Sequence, residues 1–310
     1  MPRRQRSADR IVAKLRQIDA AVAQGGTLAL ACKEAGLTEK SYHRWREEHG
    51  GSRPDQAVRA KWAVLGPEDV RPFVILTVVP LCLVFIHYFG KAAWLAGFLD
   101  SLGLAGLAAD FRGSFVGNEP RDLPPLLWWA GTSIAGYVVV PALLITVVWR
   151  QRLADFGVRW HADWPTLRPY LAFVVLMIPV IWAASSTAQF QRTYPFLRMM
   201  AGESIWSRWI IWEAVYLVQF FALEFFFRGF MVLGLKPRFG WLSIPIMAVP
   251  YCMIHFAKPM PEAVAAIVAG IALGHLALKS GTVLWGALLH CAVAMSFDVT
   301  VLLQKGAFFR

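Results

Sequence analysis

The chain has 310 residues, of which 57% are hydrophobic and only 16% charged, with a mean hydropathy of +0.49. Soluble domains run nearer half apolar and a quarter charged, so this balance excludes a disordered chain and an ordinary soluble enzyme. The chain is nevertheless basic, at +11, and residues 1–72 alone hold 14 Lys and Arg against 9 Asp and Glu. Four scattered cysteines, Cys32, Cys82, Cys252 and Cys291, contain no CxxC pair and read as small buried apolar residues. The first 25 residues lack the apolar stretch of a secretory signal.

The chain order begins with a polar, helical stretch. Ser7 is a candidate cap for a helix through Ile11, Leu15, Ile18 and Val22, ended by Gly25-Gly26. Thr27 is placed to cap a second helix that ends at Gly36, and Thr38 a third, EKSYHRWREEH. Helix, tight glycine turn, helix is a helix-turn-helix pattern, and Ala31, Cys32, Gly36, Tyr42 and Trp45 sit where such a pattern needs small, turning and anchoring residues. Lys40, His43, Arg44 and Arg46 on its second helix are candidates to meet phosphates or bases. The words ACKEAGLTEKSYHRWREEHGG resemble the helix-turn-helix module of insertion-sequence transposases over about residues 8–60. That resemblance implies a weak DNA contact through residues 27–48 and a separate module over residues 1–62.

From residue 63 on, apolar runs approach the roughly 20 residues that cross a bilayer. Spans are expected at about 73–89, 126–149, 168–188, 209–235, 241–256, 261–279 and 281–304. Residues 92–109 could add an eighth, although Asp100 and three glycines favour a re-entrant or interfacial piece. The expected fold is therefore all-α: a polytopic membrane bundle of seven or eight spans behind a small N-terminal module. Arg150, Arg152, Arg159 and Arg168, with Lys236 and Arg238 and the basic first 72 residues, place those ends and the N-terminus in the cytoplasm and the protein in the inner membrane.

Ionisable side chains at membrane depth are costly, which makes each a candidate functional residue. Here they are Glu213, Glu224, Arg228, His255, His275, His290 and Asp298. Glu224 and Arg228 are four apart and share a helix face, which also suits a structural ion pair. Counting 1.5 Å per residue from helix ends near 236, 241 and 280 puts Glu224 about 18 Å deep, His255 about 21 Å and His290 about 15 Å. One carboxylate and two imidazoles from three helices thus share the middle of a roughly 30 Å core. Pro250, five residues before His255, can bend its helix. Gly270 and Gly274 form a GxxxG step for close packing. Such a set suits water activation by a general base, a divalent metal such as zinc held by two imidazoles and a carboxylate, or proton relay, and spacing alone leaves all three open.

The words around these residues resemble the CPBP intramembrane protease family, which includes the CAAX prenyl proteases and bacteriocin-processing or immunity proteins. The family's EExxxR motif falls on Leu223-Glu224-Phe225-Phe226-Phe227-Arg228, followed by Gly229. Its second motif, an aromatic residue four before a histidine, falls on Tyr251 and His255, and its third, HxxxN/D, on His290 and Ala294. Order and spacing match over about residues 125–305. The resemblance implies an endopeptidase acting on a membrane-associated protein or peptide, with or without a metal. It implies catalytic roles for Glu224 and His255 on the water, His290 as oxyanion donor, and Arg228 as the partner of Glu224. Two departures stand out. Leucine at 223 replaces the family's first glutamate, and Ala294 replaces the polar residue after the last histidine, for which Asp298 one turn further on is the available substitute. They leave room for a catalytically impaired relative acting as a membrane scaffold or immunity factor, and the N-terminal module for a membrane-tethered DNA-binding regulator.

Overall fold

The computed structural model describes residues 2–49, 67–113, 115–116, 119–120, 122–161, 163–197 and 205–306. The chain divides into two compact units, Met1–Gly66 and Pro67–Arg310. The boundary expected at 62/63 lies outside the described residues.

The first unit is three helices, α1 (Pro2–Ala23), α2 (Leu28–Glu34) and α3 (Glu39–His49). Its core is Leu15 and Ile18 of α1 against Ala31, Cys32 and Tyr42, with Ile11, Val22 and Trp45 packed at the margin. The Thr27 hydroxyl accepts from the Leu30 amide at 3.4 Å and the Thr38 hydroxyl from Ser41 at 3.2 Å, so both threonines cap their helices. Gly36 turns the chain between them at φ +67°, a left-handed conformation costly for other residues. Ser7 is not a cap, because α1 already starts at Pro2, a residue suited to a first helical position. Arg46 is not a free phosphate ligand either. Its guanidinium pairs with Asp19 and donates to the Tyr42 hydroxyl at 2.9 Å, so it cements α3 onto α1. Tyr42 in turn donates to Asp19 at 2.7 Å, and burial, followed by that hydrogen bond, pushes its phenol up to about 12. Lys33, Lys40 and Arg44 remain exposed.

The second unit is a helical bundle. It contains α4 (Pro67–Phe89), two short helices α5 (Ala92–Ser101) and α6 (Ala105–Gly113), and α7 over 123–148, which loosens into π-helical turns at Ala135–Val139 and Leu144–Val148. After a 3-10 turn at Leu153–Phe156 come α8 (Trp164–Ser185), α9 (Ala188–Thr193) and α10 (Ile205–Glu224). The last continues as a π-helical segment, Phe225–Leu233, into α11 (Gly234–Phe239). A turn at Gly240 reverses the chain into α12 (Ser243–Met253), followed by α13 (Met260–Ser280) and α14 (Leu284–Gln304).

Among the described residues, six helical stretches are long and apolar enough to cross a membrane: Val70–Phe89, Leu123–Val148, Trp164–Ser185, Arg208–Met253, Met260–Ser280 and Leu284–Gln304. This count does not confirm the expected seven or eight, because the 46-residue stretch Arg208–Met253 contains two of the expected segments. Segments 209–235 and 241–256 fall in this one stretch as two arms reversed at Gly240, and the second arm, α12, has 11 residues, about 16 Å of helix, short of a 30 Å core. Residues 92–109 are not a span, because the turn at Gly103 splits them between α5 and α6.

Arg208–Met253 is the most buried of the six and Trp164–Ser185 the least. α8 turns Val175, Leu176, Ile178 and Trp182 outward, as a helix facing lipid does. The inner stretch is instead wrapped by neighbours: α10 lies along α7 and α14, and α12 along α13. Small residues permit the closest approaches. A Cβ on Gly270 would stand 3.0 Å from the Tyr251 ring, and one on Gly274 3.1 Å from Ile244. A Cβ on Gly229, inside the π segment, would stand 2.6 Å from the Phe156 carbonyl oxygen, so only glycine lets that loop lie against it. Val283 donates its amide to the Gly157 carbonyl at 3.0 Å and the Thr282 hydroxyl donates to the Arg159 carbonyl at 2.7 Å, which fixes the start of α14 to the 150–160 connection.

Candidate active site

Glu224 is the last residue of α10, and Arg228 lies in the first turn of the π-helical segment that follows. π-helical turns are rare and gather at functional sites. Both side chains are wholly buried, and the guanidinium Nη1 stands 3.0 Å from Oε1 of Glu224. Burying such a pair is expensive unless each charge is compensated, and here each compensates the other. The guanidinium also lies over the Tyr251 ring, 4.1 Å from its centroid, a cation–π contact from α12.

His290 arrives from α14, 66 residues later. Its Nδ1 is 3.0 Å from the same Oε1 of Glu224, and its ring stacks on Phe220 with centroids 4.4 Å apart. Oε2 of Glu224 has no hydrogen-bond donor among the described residues. Gly286, one turn before His290, stands beside it: a Cβ there would be 3.0 Å from Oε2. Glycine at 286 therefore lets α14 pack close to this buried carboxylate oxygen, which a side chain would crowd.

His255 lies just beyond α12, two residues after Met253, and is buried. Its Nδ1 is 2.7 Å from the Tyr251 carbonyl oxygen, and its ring meets the Tyr251 ring edge-on at 4.9 Å. A carbonyl only accepts, so Nδ1 carries the proton and Nε2 presents a lone pair. Tyr251 thus touches both Arg228 and His255 and links the second motif to the first.

The structure brings Glu224, Arg228 and His290 into direct contact, and His255 next to them through Tyr251. Glu224 has His290 as its imidazole partner. Leu223 is buried in the apolar cluster that contains Tyr137, Phe226, Phe227 and Phe230, and Ala294 packs against a second cluster around Trp212 and Tyr216. Asp298 does not take the place of a polar residue at 294. It meets Glu213 of α10 instead, at a separate level of the bundle. Sequence reasoning did not single out Tyr251 as the junction or Gly286 as the close neighbour of the Glu224 carboxylate. The one available signal for Tyr251 was its place as the aromatic of the second motif.

The described residues contain no group of three His, Cys, Asp or Glu side chains placed to share an ion. A fixed guanidinium 3.0 Å from the candidate carboxylate ligand also repels a cation there. This donor set does not fit a zinc ion. An apolar crevice of about 280 Å³ lined by Phe85, Trp94, Trp128 and Thr132 lies elsewhere, among α4, α5 and α7.

Residues 204–296, which contain all four candidate residues, match the family model described as Type II CAAX prenyl endopeptidase Rce1-like. No curated protein and no solved structure matches the chain. The segment that unites Glu224, Arg228, His255 and His290, within helices long and apolar enough to cross a membrane, is thus similar to the Rce1-like proteases of the CPBP group.

Proposed function

We propose that this protein is an intramembrane endopeptidase that hydrolyses a peptide bond of a membrane-associated protein or peptide without a resident metal, lying in the inner membrane with its N-terminus in the cytoplasm. The observation that carries this reading is the contact of buried Glu224 with both Arg228 and His290, which joins α14 to the end of α10. Oε1 of Glu224 is committed to those two partners, and Oε2 is the oxygen left to accept a hydrogen bond from a water. Nε2 of His255 takes the proton as the water oxygen bonds to the scissile carbonyl carbon, and the carbonyl oxygen becomes an oxyanion. His290 donates to that oxyanion through Nε2–H. One proton shared between Glu224 and Nδ1 leaves Nε2–H for that role. Collapse of the oxyanion breaks the C–N bond, and the proton on His255 passes to the leaving amine.

The test is cleavage of membrane-anchored peptides by purified protein in detergent. Glu224→Ala and His255→Ala are each expected to lower the rate by about 10²-fold or more. Equal cleavage by wild type and both variants overturns the assignment. A second reading, a catalytically silent relative serving as membrane scaffold or immunity factor, is favoured by Leu223, whose buried apolar side chain cannot act as a base.

For the first unit we propose a weak DNA contact through residues 27–48, carried by exposed Lys33, Lys40 and Arg44. Residues 1–66 should shift a DNA duplex at physiological salt and lose it steeply as salt rises, while Lys40→Ala/Arg44→Ala should flatten that dependence. No shift at physiological salt removes DNA as a partner.

A further inference from the structure

α10 and α14 run antiparallel and meet at two ionisable levels. At one, Glu224 faces His290. At the other, eleven residues back along α10 and eight residues on along α14, the side chains of Glu213 and Asp298 are neighbours across the packed helix pair. Helical rise puts the two levels about 12–16 Å apart. Between them, Cys291 of α14 donates its thiol to the Leu217 carbonyl of α10 at 3.5 Å.

Glu213 is 4% exposed and Asp298 0%. None of their four carboxyl oxygens meets a donor with full hydrogen-bond geometry among the described residues. The Trp209 indole N–H borders Glu213. The other ionisable groups around the pair are Tyr216 of α10, Tyr194 before it, Lys258 and Glu262 near the start of α13, and Lys305 after α14. Both ammonium groups are engaged elsewhere. Lys258 pairs with Glu262 at 2.7 Å and reaches the Tyr194 hydroxyl at 3.3 Å. Lys305 donates to the carbonyls of Gln191 at 2.6 Å and Tyr194 at 3.1 Å. Among the described residues, no cation forms a salt bridge with the acid pair.

Ionised carboxylates only accept, so two of them hydrogen-bond only when one carries a proton. Removing it leaves two like charges in contact where little solvent screens them, and they must part or take up a cation. We propose that Glu213 and Asp298 form a binding site for a single proton that pins α10 to α14, and that losing this proton loosens the helix pair which also holds Glu224 against His290. The inference does not depend on proteolysis, because each of its readouts is independent of cleavage.

The test uses the full-length protein in lipid nanodiscs as pH is raised. Infrared difference spectra follow the C=O stretch of a protonated carboxyl, and peptide mass spectrometry follows labelling of Cys291 by N-ethylmaleimide. Wild type should show a protonated-carboxyl band that disappears as pH rises, and Glu213→Gln and Asp298→Asn should each shift or abolish it. The double variant pairs two neutral amides. The ratio of wild-type to double-variant labelling cancels the thiol's own ionisation and should rise about tenfold with the same midpoint as the band. No protonated-carboxyl band at any pH, or a band indifferent to both single variants, overturns the proposal. So does a flat labelling ratio.

Discussion

Replacing Glu224 with alanine should destabilise the membrane unit by about 3–5 kcal/mol, in addition to the loss of cleavage that the proposed mechanism predicts. The reason is what remains behind. Arg228 is wholly buried, and Glu224 is the carboxylate 3.0 Å from its Nη1. Without it the guanidinium keeps its contact with the Tyr251 face, worth about 2 kcal/mol when desolvated, which does not repay the burial of an unpaired charge. Glu224→Gln keeps an amide oxygen for Arg228 and His290 and should lose less. Glu224→Leu/Arg228→Met removes both charges and should recover most of the stability lost in Glu224→Ala while remaining inactive. Thermal unfolding in one detergent, followed by tryptophan fluorescence, ranks the four proteins. An alanine variant that melts with the wild type would mean that Arg228 is compensated by something other than Glu224.

That ranking also marks how far residue spacing alone could reach. Glu224 and Arg228 were legible as a pair because four residues on one helix bring side chains together. The Thr27 and Thr38 caps were legible for the same reason: the bond closes within three residues. Ser7 misled because a capping residue can equally lie inside a helix that begins further back. The contact of Glu224 with His290 spans 66 residues, and only their similar depth hinted at it. Equal depth did not say which histidine the carboxylate would meet. Glu213 and Asp298 are 85 residues apart, and nothing local pairs them. Apolar length found the spans but could not separate a crossing helix from α12, whose 11 residues end at a turn three residues after Pro250. Arg46 looked like a DNA ligand by its position on α3. Its commitment to Asp19, 27 residues earlier, depends on how α1 packs.

Restoring the family's missing carboxylate with Leu223→Glu should cost about 2–5 kcal/mol and add no activity. Leu223 belongs to the apolar cluster of Phe226, Phe227 and Phe230, so the new carboxylate enters a region of aromatic rings. Glu224 already occupies the position beside Arg228 and His290, and Arg228 is the guanidinium seated on this pair. A second carboxylate would compete for that cation and disturb the contact that positions His290. The measurement is cleavage and thermal unfolding of Leu223→Glu beside wild type and Leu223→Gln, which carries the same bulk without charge. Gain of cleavage by Leu223→Glu over an inactive wild type would show that the water needs a carboxylate at 223, and that Glu224 only holds Arg228 and His290 in place. Loss of stability in both variants, larger for glutamate, with cleavage below that of an active wild type, would place the working carboxylate at Glu224, whose unpartnered Oε2 lies beside Gly286.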